Sequence, residues 1–132
     1  MTRLLLDTSA YSAFMRGHPE VKRAVQEADE IYLNSVTLGE LLAGFMRGRH
    51  RRRNEGELKT FLASPRARVL DMNEETAERY AVILNSLWKG GTPIPTNYIW
   101  IAASAMQHGL RLLTTDAHYQ KVGQIIVDYF TV

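Results

Sequence analysis

A chain of 132 residues can bury roughly two-thirds of its unfolded surface around one core, so it is expected to form one domain spanning residues 1–132. With 45% hydrophobic and 23% charged residues it has an ordinary globular composition; no apolar run nears the ~20 residues of a membrane span, and the lack of cysteine excludes disulfides, thiolate metal sites and cysteine nucleophiles. The net charge is only +2, yet Arg47, Arg49, His50, Arg51, Arg52 and Arg53 crowd into one short stretch, which points to a polyanion partner or a solvated loop.

The chain opens on Leu4-Leu5-Leu6-Asp7-Thr8-Ser9, an apolar run that stops on a carboxylate and continues into hydroxyl residues. Consecutive apolar residues suit a parallel strand covered on both faces, because a half-exposed strand would alternate. Asp7 then emerges at the carboxyl end of the strand, where open parallel sheets bind ligands, or it caps the helix that follows. That helix is expected over Thr8 to Met15 and ends at Gly17-His18-Pro19, with a second from Glu20 to about Glu27. Glu30 to Asn34 reads as a second strand. Ser35 is placed as the next N-cap, ahead of a helix with an apolar stripe of Val36, Leu38, Leu41, Leu42 and Phe45 on which Glu40 is the only acid. The basic block follows, and a helix resumes through Leu58, Phe61 and Leu62 to Ser64-Pro65, making a basic-tipped hairpin.

Arg68 to Asp71 is a third strand, and Asn73 caps a long helix packed through Ala77, Tyr80, Ala81, Leu84, Leu87 and Trp88. Trp88 and Trp100 are read as core or dimer-interface residues. After Gly90-Gly91 and the stiff Thr92-Pro93-Ile94-Pro95, another helix runs from about Asn97 to Gln107 and stops at Gly109. Arg111 to Asp116 repeats the opening design of strand, hydroxyls and acid, and Ile125-Ile126-Val127 is taken as the last strand. Strands alternating with helices imply an α/β sandwich, a mostly parallel sheet of about five strands with helices on both faces.

Three acids converge in this layout: Asp7, Glu40 and Asp116. Mg²⁺ and Mn²⁺ take oxygen ligands, and a cation would relieve the mutual repulsion of such carboxylates and activate water against a phosphodiester. Each acid also has a local alternative. Thr37-x-x-Glu40 matches a capping box, and Asp116 suits an N-cap for Ala117 to Val122. Asp71 ends a strand too, but is expected to lie apart or cap locally. No dinucleotide, Walker A or hydrolase-elbow motif is present, and the four histidines lack H-E-x-x-H spacing, which leaves them as surface or capping residues.

The runs Leu4 to Ala10, Ser35 to Gly44, Pro95 to Ala103 and Leu113 to Asp116 together resemble the PIN-domain ribonucleases, and more narrowly the VapC-type toxins of toxin-antitoxin pairs. The resemblance implies a PIN-like three-layer sandwich and a Mg²⁺- or Mn²⁺-dependent endoribonuclease acting on transfer or ribosomal RNA; a cytoplasmic location is expected from the lack of a membrane-length apolar run and of a signal-like N-terminus. The resemblance also implies a homodimer, held silent by a VapB-type antitoxin. By position, Asp7 would bind metal, Glu40 would bind it directly or through water and orient the attacking water, and Asp116 would complete the pocket. Thr8, Ser9, Asn97, Thr114 and Thr115 would support these acids, and Arg47, Arg49, Arg51, Arg52 and Arg53 would contact RNA phosphates. The chain departs from the family at Tyr98, where an aspartate is normally a principal metal ligand. A neutral phenol with a reference pKa of about 10 is a poor Mg²⁺ ligand, so an inactive or weakened nuclease is expected, with a non-catalytic RNA- or protein-binding module as the rival reading.

Overall fold

Leu4 and Leu6 point to one side of the central strand and Leu5 to the other, and each side meets its own apolar core. In this computed structural model, which describes residues 1–132, the first strand β1 (Arg3–Leu6) is followed by helices α1 (Thr8–Met15) and α2 (Pro19–Glu27), strand β2 (Glu30–Asn34), and helices α3 (Ser35–Arg47) and α4 (Arg51–Leu62). Then come β3 (Ala67–Leu70), α5 (Glu74–Lys89), α6 (Thr96–His108), β4 (Arg111–Thr114), a 3₁₀ turn over Ala117–Lys121, and β5 (Val127–Tyr129). All neighbouring strands are parallel, in the order β3-β2-β1-β4-β5.

One core joins Leu5 and Leu112 to Ile83 and Leu87 of α5 and Ile99 and Ala102 of α6. The other joins Leu4, Leu6, Leu33 and Leu113 to α1 through α4 by way of Tyr11, Val21, Leu41 and Leu58. The result is the expected three-layer α/β sandwich of five parallel strands. Because β1 is buried on both faces it has no polar side, which is why it reads as an unbroken apolar run.

The chain winds outward from β1 through β2 to β3, then crosses back over β1 to β4. This reversal leaves a crevice between the carboxyl ends of β1 and β4, where a ligand meets the fewest crossing connections. Asp7 and Asp116 follow those two strands.

Two local expectations need correction. The N-cap of α3 is Asn34, not Ser35: its fully buried carboxamide accepts from Thr37 N at 2.9 Å and donates to Ser104 Oγ at 3.1 Å, while Ser35 Oγ turns to the Leu70 carbonyl. The last strand begins at Val127. Ile126 supplies a carbonyl to Leu112 N at 2.9 Å, but its side chain is exposed, so the apolar pair Ile125-Ile126 marks the approach to the strand. Of the two tryptophans read as core or dimer-interface residues, Trp88 is 63% exposed and so lies outside the chain's own core, while Trp100 stacks on Tyr80 with centroids 4.1 Å apart. Asn73 caps α5 through a reciprocal box with Thr76, and Gly109 ends α6 at φ 63°, a left-handed conformation that suits glycine. No helix is long and apolar enough to cross a membrane.

Candidate active site

A pocket of about 280 Å³ opens at the crevice, lined by Asp7, Thr8, Ser9, Ser12, Glu40, Asn97, Tyr98, Asp116 and Tyr119. The three acids singled out from sequence therefore reach one place. A larger hollow on the outer side of α5, lined by Ala81, Val82, Asn85, Ser86, Lys89 and Gln124, holds no such chemistry.

Asp7 caps the first helix and also lines the pocket. Its Oδ1 accepts from Ala10 N at 2.8 Å and so caps α1, while Oδ2 accepts from Thr114 Oγ1 at 2.7 Å, and Ser9 Oγ donates to both oxygens. Ser9 in turn accepts from Thr115 N, and Thr114 Oγ1 accepts from Asp116 N, so hydroxyl residues tie the ends of β1 and β4 together. Only 3% of Asp7 is exposed. Burial pushes its carboxyl up to about 6, against the hydrogen bonds from Ala10, Thr114 and Ser9, which favour the charged form.

Glu40 does not close a capping box. Its Oε1 accepts from Thr8 Oγ1, and its Oε2 accepts from Asn97 Nδ2 at 2.7 Å, which joins α3 to α1 and α6 across the pocket. Asp116 caps the 3₁₀ turn by accepting from His118 N, and its Oδ2 accepts from the Tyr98 hydroxyl at 2.7 Å. Burial raises the Asp116 carboxyl, but the donors from His118 and Tyr98 outweigh it and hold the group below the usual aspartate range. Burial first, then the bond to Asp116 and the charges of the three acids, push Tyr98 up to about 12, so it remains a phenol at neutral pH.

Tyr119, His118 and Ser12 belong to this site and were missed by sequence reasoning. A 3₁₀ turn straight after Asp116 folds positions 118 and 119 back toward the pocket; the cap reading of Asp116 and the D-x-H-Y run were the available signals. Tyr119 is fully buried, its hydroxyl has no partner, and burial together with the charges of Asp7, Glu40 and Asp116 raises its pKa. Ser12 lines both the acidic pocket and an adjoining depression bounded by Tyr11, Met15, Arg16, Phe45, Asn54 and Glu57. That depression leads toward the α3–α4 tip.

Arg47, Arg49, Arg51, Arg52 and Arg53 are exposed at this tip and none lines the pocket. Arg51 pairs with Glu55 at 3.0 Å and Arg53 with Glu57 at 3.9 Å. Asp71, at the far edge of the sheet, stays out of the pocket. His18 caps α2 by accepting from Val21 N.

Carboxylates, hydroxyls and an amide oxygen are the hard donors that Mg²⁺ or Mn²⁺ would take. Here, however, all six oxygens of Asp7, Glu40 and Asp116 already accept hydrogen bonds from the chain itself, and no group of three acids is arranged to hold a metal ion. The residues as arranged form a hydrogen-bonded acidic network, and a cation would have to displace some of these donors to bind.

A parallel five-stranded sheet with acids gathered at its switch point is the architecture of an α/β domain that binds its ligand beyond the carboxyl ends of its strands. The PIN domain model matches residues 4–125, and the chain belongs to the PIN domain family, among the VapC ribonucleases. Ribonuclease VapC4 of Mycobacterium tuberculosis is 32% identical over 92 residues, which is 70% of this chain and 71% of that protein. Among solved structures, a VapBC2 complex from Rickettsia felis bound to a promoter DNA fragment superposes with a TM-score of 0.85 over 97% of this chain and 98% of that one, at 20% identity. A DNA-bound VapBC from Salmonella typhimurium gives 0.83 over the same shares, at 25% identity.

Proposed function

We propose that this chain is the toxin of a type II toxin-antitoxin pair, an endoribonuclease by descent whose cutting is lost or weakened by Tyr98. The observation that carries this reading is the Tyr98 hydroxyl donating to Asp116 at 2.7 Å in a pocket that also holds Asp7 and Glu40. In the family resemblance an aspartate belongs at this position. A phenol that stays neutral brings one negative charge fewer, and its proton occupies an oxygen that a cation would use.

Asp7, Glu40 and Asp116 are the catalytic and metal-binding acids of this proposal, with Mg²⁺ or Mn²⁺ as the ion. Bound there, the ion would neutralise phosphodiester charge and activate water. Thr8 and Asn97 orient Glu40, and Ser9 and Thr114 orient Asp7, with Thr115 joined to Ser9 through its backbone. Transfer or ribosomal RNA in the cytoplasm is the substrate class, approached along the Ser12 depression from the arginines at the α3–α4 tip. A VapB-type antitoxin is the partner, in keeping with relatives solved as VapBC complexes, and the toxin is a homodimer.

A second reading is a non-catalytic module that binds RNA without cutting it. The internally satisfied carboxylates favour it.

The Tyr98→Asp variant separates the two. With Mg²⁺ or Mn²⁺ it is expected to cleave RNA at least tenfold faster than the parent chain and to melt higher on adding the ion. Equal cleavage and equal melting in both proteins would remove Tyr98 as the disabling residue.

A further inference from the structure

Two aromatic rings, Tyr119 and Tyr98, line the acidic pocket, and a third, His118, stacks on Tyr98 beside it. Tyr119 is fully buried at its inner end. Tyr98 meets it edge-on, with centroids 5.2 Å apart at 77°, and lies flat against His118, with centroids 4.6 Å apart at 26°. The His118 side chain is 44% exposed. Asp116 holds one edge of the imidazole, Nδ1 lying 2.6 Å from Oδ1, and accepts from the His118 backbone N–H as well. The ring is thus backed on one face and gripped at an edge, so ordering it costs a ligand little entropy.

We propose that His118, backed by Tyr98, is a stacking shelf for an unpaired nucleobase of RNA at the rim of the acidic pocket. The shelf rests on the RNA-binding reading above and deepens it. Charge selects the base over the phosphate: three carboxylates without a cation repel a phosphodiester, whereas a neutral base brings no charge against them. Aromatic faces hold splayed, single-stranded bases in this way with little sequence preference, while paired bases are not available to them. Tyr98 has two effects in this arrangement. It withholds a carboxylate from the pocket and supplies the flat surface that supports His118.

The test is equilibrium binding of a short unstructured oligoribonucleotide to the full chain, in chelator so that no cleavage intervenes. His118→Ala and His118→Asn should each weaken binding about tenfold, and His118→Phe, which keeps a ring and loses only the Nδ1 contact with Asp116, should stay within about twofold of the parent. An oligonucleotide made abasic at the stacked position should bind parent and His118→Ala alike. The shelf is overturned if His118→Ala binds as well as the parent, if His118→Phe is as weak as His118→Ala, or if every abasic oligonucleotide keeps its full sensitivity to His118→Ala. Failure of the parent chain to bind RNA at all would remove the RNA-binding reading and the shelf with it. Binding that ignores His118 removes only the shelf.

Discussion

Replacing Asp7 with asparagine should stabilise the protein at neutral pH. The carboxyl is 3% exposed, and burial moves its pKa from an ordinary 3.8 to about 6. Between those values the folded chain keeps the proton and the unfolded chain releases it, so stability falls as pH rises from about 4 to 6 and then levels off. Holding the charge costs about 3 kcal/mol at pH 7.5. Asparagine has nearly the same shape and no charge; its Oδ1 still accepts from Ala10 N, and its amide can donate to the Ser9 or Thr114 hydroxyls. Unfolding entropy of about 2.1 cal/mol/K per residue converts 3 kcal/mol into a melting-temperature rise of roughly 10 °C for a domain of this size. The gap should close to almost nothing at pH 4, where the parent carboxyl is protonated in the folded state. Thermal and urea melts of both proteins in chelator, from pH 4 to 8, measure it. A variant that is less stable at pH 7.5, or a gap that does not change with pH, would refute the desolvation argument.

Changing Arg51, Arg52 and Arg53 together to alanine should lower the salt slope of RNA binding by about 2, since each lost phosphate contact on a single strand removes about 0.7. The exposed pairs to Glu55 and Glu57 contribute little to folding, so the fold should survive, and an unchanged slope would make the block a solvated turn. Asn34→Ala removes a buried amide that serves both Thr37 N and Ser104 Oγ, and should cost about 2–3 kcal/mol in urea melts. A loss below about 0.5 kcal/mol would mean that Ser35 takes over the cap, as its place in the sequence suggests.

The parts of the fold that could be read from sequence are those governed by local chemistry. Apolar runs ending in acids marked β1 and β4, the 3,4 spacing marked α3 and α5, and Asn73 and Gly109 marked helix ends. The assignment failed where a tertiary partner chooses between local candidates. Asn34 takes the cap from Ser35 because Ser104 of α6 holds the other side of its carboxamide, a contact 70 residues away. Ile126 looks like strand core, but at the sheet edge only its carbonyl is used. In the site, the acids were visible because each follows a strand or stands alone on an apolar helix. The donors that neutralise them were less visible. The Tyr98 bond to Asp116 depends on how α6 lies against β4, and although Asp116 was legible as the cap of the turn after β4, the His118 stack depends on where that turn sits against α6.

That turn also shows why capping and site readings are not alternatives in this fold. The carboxyl end of a parallel strand is where the next helix begins, so an acid there meets free backbone N–H groups and the crevice at once. Asp7 accepts from Ala10 N and from Thr114 of the neighbouring strand end, and Asp116 accepts from His118 N and from Tyr98. The cap fixes one oxygen of each carboxylate and thereby aims the other into the crevice. Glu40 lies beyond the first turn of α3 and has no backbone donor to fix it, and it is the acid that Thr8 and Asn97 must hold from both sides. What the crevice accepts is therefore decided by the donors that meet the free oxygens. With Tyr98 and Asn97 in those places, the three acids are stabilised by the chain's own hydrogen bonds, and an incoming cation would have to displace them.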